Sequence, residues 1–130
     1  MRVLASFAAI ALSTMSAWAG GASVSGNWSG EMRQVDPTRE TSYAMTLTIT
    51  GAKGKSSYPS LNCSGTWARI GETKEGYAIF KETVLNEAEA SCIDGLAIVR
   101  IDAGKLVLGW FASFEGTPSL ASAVLAREEK

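Results

Sequence analysis

The chain has 130 residues, a formal net charge of −1 at neutral pH, two cysteines and no histidine. This charge balance lacks the basic footprint of a nucleic-acid-binding protein, and a chain of this length makes one domain with a modest core. Most catalytic triads and zinc sites depend on histidine, and no H-E-x-x-H motif or phosphate-binding glycine loop is present. The sequence therefore predicts a protein that is not an enzyme and that needs no metal or cofactor.

Residues 1–19 have the features of a secretory signal peptide. A basic Met1-Arg2 pair is followed by an apolar run and by an A-x-A cleavage signature that ends at Ala19. The run is too short to cross a membrane, and a stop-transfer flank is missing. We therefore expect a secreted or periplasmic protein without a membrane span, in which residues 20–130 form a single domain.

Eight short stretches with strand character follow along the chain, separated by turn residues. The clearest is Tyr43–Thr50, where apolar residues alternate with threonines as in a half-buried strand. Only Asn86–Ser91 has the composition of a helical turn. The sequence predicts an all-β fold, a small antiparallel up-and-down barrel of about eight strands, with a small sandwich as the alternative. The predicted strands are Val24–Gln34, Tyr43–Thr50, Lys55–Tyr58, Cys63–Ile70, Tyr77–Leu85, Leu96–Asp102, Lys105–Ser113 and Ser119–Arg127.

The barrel interior is expected to be filled by side chains. An eight-stranded barrel is just wide enough to be filled in this way or to hold one small molecule. Two G-x-W segments, Gly26-Asn27-Trp28 and Gly65-Thr66-Trp67, place a glycine beside an inward tryptophan, which is typical of a packing device. The residues expected to point inward are Trp28, Met45, Leu47, Ile49, Trp67, Ile79, Ile98, Leu108 and Trp110.

The two cysteines, Cys63 and Cys92, are predicted to form a disulfide. An exported protein meets an oxidising compartment, and an even cysteine count there indicates pairing. The two positions are 29 residues apart, and closing that loop stabilises a fold by about 3–4 kcal/mol in the chain-entropy model. Both cysteines fall at the same end of an up-and-down barrel.

That end carries the candidate binding site. The connections after strands one, three, five and seven share one rim, and most of the longer predicted loops fall there. Loops on a rigid scaffold commonly carry binding residues. Glu82, Glu87, Glu89 and Glu115 could supply a carboxylate pair, but nothing in their spacing distinguishes them from surface charge. The candidate rim residues are Asp36, Arg39, Tyr58, Glu87, Glu89, Asp94 and Phe114.

The Gly26-Asn27-Trp28 segment resembles the G-x-W signature that opens calycin barrels, a group that includes lipocalins, avidins and small periplasmic metalloprotease inhibitors. The resemblance implies that a basic residue near the last strand, here Arg127, packs over Trp28. In its size, its expected export and its single disulfide, the chain is most similar to the inhibitor branch. The resemblance implies a non-enzymatic binding module, with a protease inhibitor or similar protein-binding barrel as the leading interpretation. The alternatives are a carrier of a small apolar ligand and a structural cell-envelope protein.

Strands six to eight carry apolar residues on both faces, whereas a half-exposed strand alternates apolar with polar residues. A contiguous apolar surface marks an interaction site. We therefore expect a homodimer or partner interface through Val99, Ile101, Val107 and Phe111. The alternative is that the N-terminal segment or the loop at Asn86–Gly95 covers this face.

Overall fold

The structure, a computed structural model, describes residues 23–86 and 92–128. Eight antiparallel strands close into a barrel in which every strand pairs with its neighbour in the chain and the last pairs with the first. The predicted all-β up-and-down barrel is confirmed. None of the helices in these two ranges is long and apolar enough to cross a membrane. The strands are β1 (Gly26–Asp36), β2 (Arg39–Thr50), β3 (Lys53–Tyr58), β4 (Cys63–Glu72), β5 (Ala78–Asn86), β6 (Gly95–Asp102), β7 (Lys105–Phe114) and β8 (Thr117–Arg127), and a 3-10 turn lies at Pro59–Leu61.

Strand β2 illustrates how the residue pattern produces the barrel wall. Met45, Leu47 and Ile49 are buried, and the threonines between them are exposed. Successive side chains of a strand point to opposite faces, so this alternation places apolar side chains in the barrel interior and polar side chains in solvent. Strand β8 follows the same rule with smaller inward residues, Ala121 and Ala123.

The connections at the open end of the barrel differ in length from the prediction. The predicted strands leave Val35–Ser42 as a loop, but β1 continues to Asp36 and β2 begins at Arg39, so the connection is a two-residue turn at Pro37-Thr38. The connection from β7 to β8 is likewise two residues long. The ladders therefore continue to the turns themselves, where Asp36 pairs with Arg39 and Phe114 pairs with Thr117.

Strand β6 faces the opposite way from the prediction. The two-residue turn at Ala103-Gly104 pairs Val99 with Leu108 and Ile101 with Leu106. Paired residues on adjacent strands share a face, and Leu106 and Leu108 are buried in the interior. Val99 is therefore fully buried and Ile101 packs against the core. The prediction that these two residues lie on an outer interface is wrong.

Ile79 and Ile98 were expected inside, and they pair with each other on the outer face instead. Phe80 and Val99 occupy the interior in their place. Phe111 does lie outside, and Val107, which is half-buried, shares its outer face. Phe111 belongs to a row of four paired apolar residues, each about half exposed, that crosses four strands. The row consists of Leu96, Phe111, Leu120 and Val35.

One end of the barrel is closed by Trp28. This side chain is fully buried, and its indole N–H donates to the carbonyl of Val24 at 3.0 Å. The Arg127 guanidinium lies 4.3 Å from the centre of the indole ring, and it also donates to the carbonyl of Ser25. A Cβ at Gly26 would collide with Arg127, so the glycine leaves space for the cation to cover the ring. Large, fully buried side chains, among them Leu47, Leu106 and Leu125, pack the half of the barrel next to this plug.

The predicted disulfide is confirmed. Cys63, at the start of β4, is bonded to Cys92, just before β6, with a Cα–Cα distance of 6.4 Å. The bond ties the chain entering β6 to the rim of the open end. The helical turn predicted at Asn86–Ser91 lies, after Asn86, outside the described residues.

The disulfide is expected to form in the protein as purified under oxidising conditions. Alkylation of unfolded, unreduced protein should leave the intact mass unchanged, and alkylation after reduction should add two groups. Two alkylated thiols without reduction would show that the bond is absent.

Candidate functional site

The open end of the barrel forms a wide cavity of about 1390 Å³ that is broadly open to solvent at its mouth. Its floor is made by buried side chains, among them Met32, Tyr58 and Trp110, and its mouth by polar residues of the strand ends. Small inward residues on β7 and β8, Ala112 and Ser119, leave this space open. The prediction of a filled interior therefore holds for the closed half of the barrel and is wrong for the open half.

A buried carboxylate, Glu82, lies at the floor of the cavity. The residue is only 1% exposed. Its Oε2 accepts hydrogen bonds from the Ser56 hydroxyl at 2.5 Å, the Tyr58 hydroxyl at 2.6 Å and the Trp67 indole N–H at 3.0 Å. Its Oε1 accepts one hydrogen bond, from the Trp110 indole N–H at 2.9 Å. Four neutral donors from three strands, β3, β4 and β7, thus converge on one side chain.

Two glycines make room for this arrangement. A Cβ at Gly65 would lie 2.8 Å from the Ser56 Oγ and 3.0 Å from the Glu82 Oε2. A Cβ at Gly95, which pairs with Glu82, would lie 2.6 Å from the Trp110 ring. The second G-x-W segment therefore admits the carboxylate beside Trp67, a role that the sequence pattern alone does not predict.

The donor set defines what the Glu82 carboxyl can do. An indole N–H only donates, so Trp67 and Trp110 oblige both oxygens to accept, which suits the ionised form. With one donor on Oε1, acceptor capacity remains on that oxygen. Across residues 23–86 and 92–128, no three His, Cys, Asp or Glu side chains converge as metal ligands would. The arrangement can therefore accept one further hydrogen bond or oppose a positive charge.

Two tyrosines, Tyr43 and Tyr58, form part of the cavity wall next to Glu82. The rings of Tyr43 and Tyr58 meet edge to face, with centres 5.9 Å apart, and the Tyr43 hydroxyl donates to the Gln34 side-chain oxygen. Burial, followed by the negative charge of Glu82, raises the pKa of Tyr43 to about 12. The same two causes raise the pKa of Tyr58 well above its ordinary value. Both hydroxyls therefore stay protonated at neutral pH and act as donors.

A second carboxylate, Asp36, lies at the mouth. The Ser119 hydroxyl donates to its Oδ1 at 2.6 Å, and the Gln34 amide donates to the same oxygen at 3.1 Å. These hydrogen bonds, in that order, and the nearby charge of Arg39 lower the pKa of Asp36. Asp36 is therefore an anion at neutral pH and joins β8 to the end of β1.

Replacing Ser119 by alanine is expected to raise the pKa of Asp36 towards its ordinary value of 3.8, because the hydrogen bond to the ionised form is lost. Carboxyl ¹³C NMR titration measures this. Since the folded-state pKa is lowered, the bond stabilises the fold at neutral pH, and this contribution disappears as pH falls through that pKa. An unchanged Asp36 titration, matching that of Ser122→Ala on the outer face of β8, would contradict the assignment.

The structure divides the predicted rim residues into three groups. Asp36, Arg39, Tyr58 and Phe114 line the cavity. Asp94 is exposed, and its carboxylate accepts from the backbone N–H of Val84 at 2.8 Å, so it fastens the chain before β6 to β5. The remaining two, Glu87 and Glu89, lie outside the described residues.

In the sequence, Glu82 is not distinguished from carboxylates expected on the surface, such as Glu115. A signal for its burial exists in the alternation of β5, where Ala78 and Phe80 are buried on the same face as Glu82. Lys81 and Thr83 then occupy the opposite, exposed face. The prediction that Ile79 points inward places Glu82 on the outer face of β5, so the burial of this carboxylate was not expected.

Comparisons with models of protein families, with curated proteins and with solved structures give no match for this chain. The closed antiparallel barrel of eight strands is compatible with the calycin-like architecture that Gly26-Asn27-Trp28 resembles.

Proposed function

We propose that this chain is an exported, non-enzymatic carrier that binds a small molecule in the open half of its barrel. The observation behind the proposal is the cavity, which combines aromatic walls with a few convergent polar groups at its floor. Ligand sites in proteins commonly have this composition, and barrel mouths are among their preferred places. The disulfide and the signal peptide expected at 1–19 support export. The calycin-like resemblance supports a binding role for the barrel.

The recessed shape of the site favours a small ligand over a protease. Two of the four connections at the open end, at Pro37-Thr38 and Glu115-Gly116, are two-residue turns. Such turns offer little chain to insert into the cleft of an enzyme. A small molecule entering between them would instead meet Tyr43, Trp110 and the polar side chains of the wall.

Binding of the neutral fluorescent probe N-phenyl-1-naphthylamine tests the proposal. Its emission rises when it enters an apolar site, and we expect saturable binding of one probe per chain. Ser119→Phe should weaken binding by about tenfold or more, because the new ring projects from the inner face of β8 into the space that the probe would occupy. A factor of ten corresponds to about 1.4 kcal/mol.

Ser122→Phe is the matched control, since Ser122 is exposed on the outer face of the same strand. It should bind the probe like the wild type. Absence of saturable binding, or equal loss in both variants, would contradict binding in the barrel.

A further inference from the structure

The charges around the cavity are unevenly distributed. Among the described residues that line it, Asp36, Glu82 and Glu115 are acidic and Arg39 is basic. Glu82 is the deepest of these charges, and the mouth carries the others. A cleft lined mainly by one sign of charge, with walls of low dielectric, concentrates ligands of the opposite sign.

Glu82 is a buried charge whose four hydrogen-bond donors are all neutral. Hydrogen bonds offset part of the cost of removing a carboxylate from water, but a nearby positive charge offsets more of it. The effect of this charge extends into the cavity, since it contributes to the raised pKa of Tyr43 on the wall. Oε1, with one donor, is the oxygen with remaining capacity to accept.

Aromatic rings surround the same point. Tyr43, Tyr58 and Trp110 all line the cavity, and Tyr58 and Trp110 also donate to Glu82. The face of an aromatic ring attracts an organic cation, most strongly where water is excluded. The closed end of the same barrel already uses this interaction, with Arg127 over Trp28 at 4.3 Å.

We infer that the ligand of this cavity is a small organic cation, with a protonated amine directed towards Glu82 and an apolar body against the aromatic wall. The inference rests on the proposed binding function and names its ligand class. Glu82 is the specificity-determining residue: it opposes the ammonium charge, and it repels a carboxylate or phosphate in the same position. Asp36 at the mouth acts in the same direction at longer range.

Three compounds of one skeleton and different charge test this: 2-phenylethylamine, 2-phenylethanol and 3-phenylpropionate. Each is titrated against protein loaded with N-phenyl-1-naphthylamine, and its dissociation constant is taken from displacement of the probe. We expect the amine to bind at least about tenfold more tightly than the alcohol, and the acid to bind most weakly. Raised salt should weaken the amine and leave the alcohol unchanged.

Glu82→Gln should reduce the preference for amine over alcohol about tenfold while retaining binding of the neutral probe, which also shows that the variant is folded. Glu31→Gln, at an exposed position on β1, should retain the preference. Asp36→Asn, which leaves the floor intact, should reduce it less than Glu82→Gln does.

The inference is wrong if the alcohol or the acid binds wild-type protein as tightly as the amine, because Glu82 is then a structural group only. It is equally wrong if the amine preference persists in Glu82→Gln. In both cases the compounds still displace the probe, so the proposed carrier function would remain supported. Failure of the probe itself to bind in a saturable way would overturn the carrier function and the inference together.

Discussion

Replacing Trp28 by alanine is expected to lower the free energy of unfolding by about 3–5 kcal/mol, the usual cost of truncating a buried aromatic side chain. Trp28 is fully buried, and it plugs the closed end of the barrel under Arg127. The substitution removes the ring, the hydrogen bond to Val24 and the surface on which the guanidinium lies. Chemical denaturation of both proteins measures the change.

Phe111→Ala is the matched control, since Phe111 is an aromatic residue about half exposed on the outer face of β7. Its truncation should cost much less than that of Trp28, as is usual for surface positions. A denaturation midpoint for Trp28→Ala close to that of the wild type would mean that the plug contributes little to the fold.

Replacing Glu82 by leucine is expected to lower the free energy of unfolding by roughly 2–6 kcal/mol, although leucine is apolar and similar in size. The carboxylate is the shared acceptor for four donors. The hydroxyls of Ser56 and Tyr58 can rotate to other acceptors, but the indole N–H groups of Trp67 and Trp110 are fixed. Each buried donor left unsatisfied costs about 1–3 kcal/mol.

A double-mutant cycle separates this cause from a loss of packing. Trp110→Phe removes one donor, so it should be less destabilising in the Glu82→Leu background than in the wild-type protein. Strict additivity of the two substitutions would show that the hydrogen bond between Trp110 and Glu82 contributes nothing to stability.

The strands and their closure followed from the pattern of residues, but the inward face was predictable only where polar residues mark the other side. In strand β2, polar threonines alternate with Met45 and Leu47, so only one of its faces could point into the core. Strand β6 is apolar on both faces, so its residue pattern does not indicate which face points inward. The two-residue turn at Ala103-Gly104 did contain the answer, because it pairs Val99 with the inward Leu108.

The sequence predicts which residues lie at the open end of the barrel, and it does not predict the buried carboxylate below them. Asp36, Arg39, Tyr58 and Phe114 were correctly assigned to this end from strand order alone. The cavity depends on how small residues of β7 and β8 face the rings of other strands, which is a property of three-dimensional packing. The burial of Glu82 could be predicted only by knowing which face of β5 points inward. Its hydrogen-bond donors come from strands far apart in the sequence.

The central claim is that a ligand binds above Glu82 within the open half of the barrel. The indole N–H signals in a ¹H–¹⁵N NMR spectrum test it directly, because Trp67 and Trp110 donate to Glu82 whereas Trp28 lies at the closed end. On titration with 2-phenylethylamine, the signals of Trp110 and Trp67 should shift and saturate together, and that of Trp28 should stay in place. A titration that leaves Trp67 and Trp110 unmoved, or that moves Trp28 as much as these two, would contradict binding at this site.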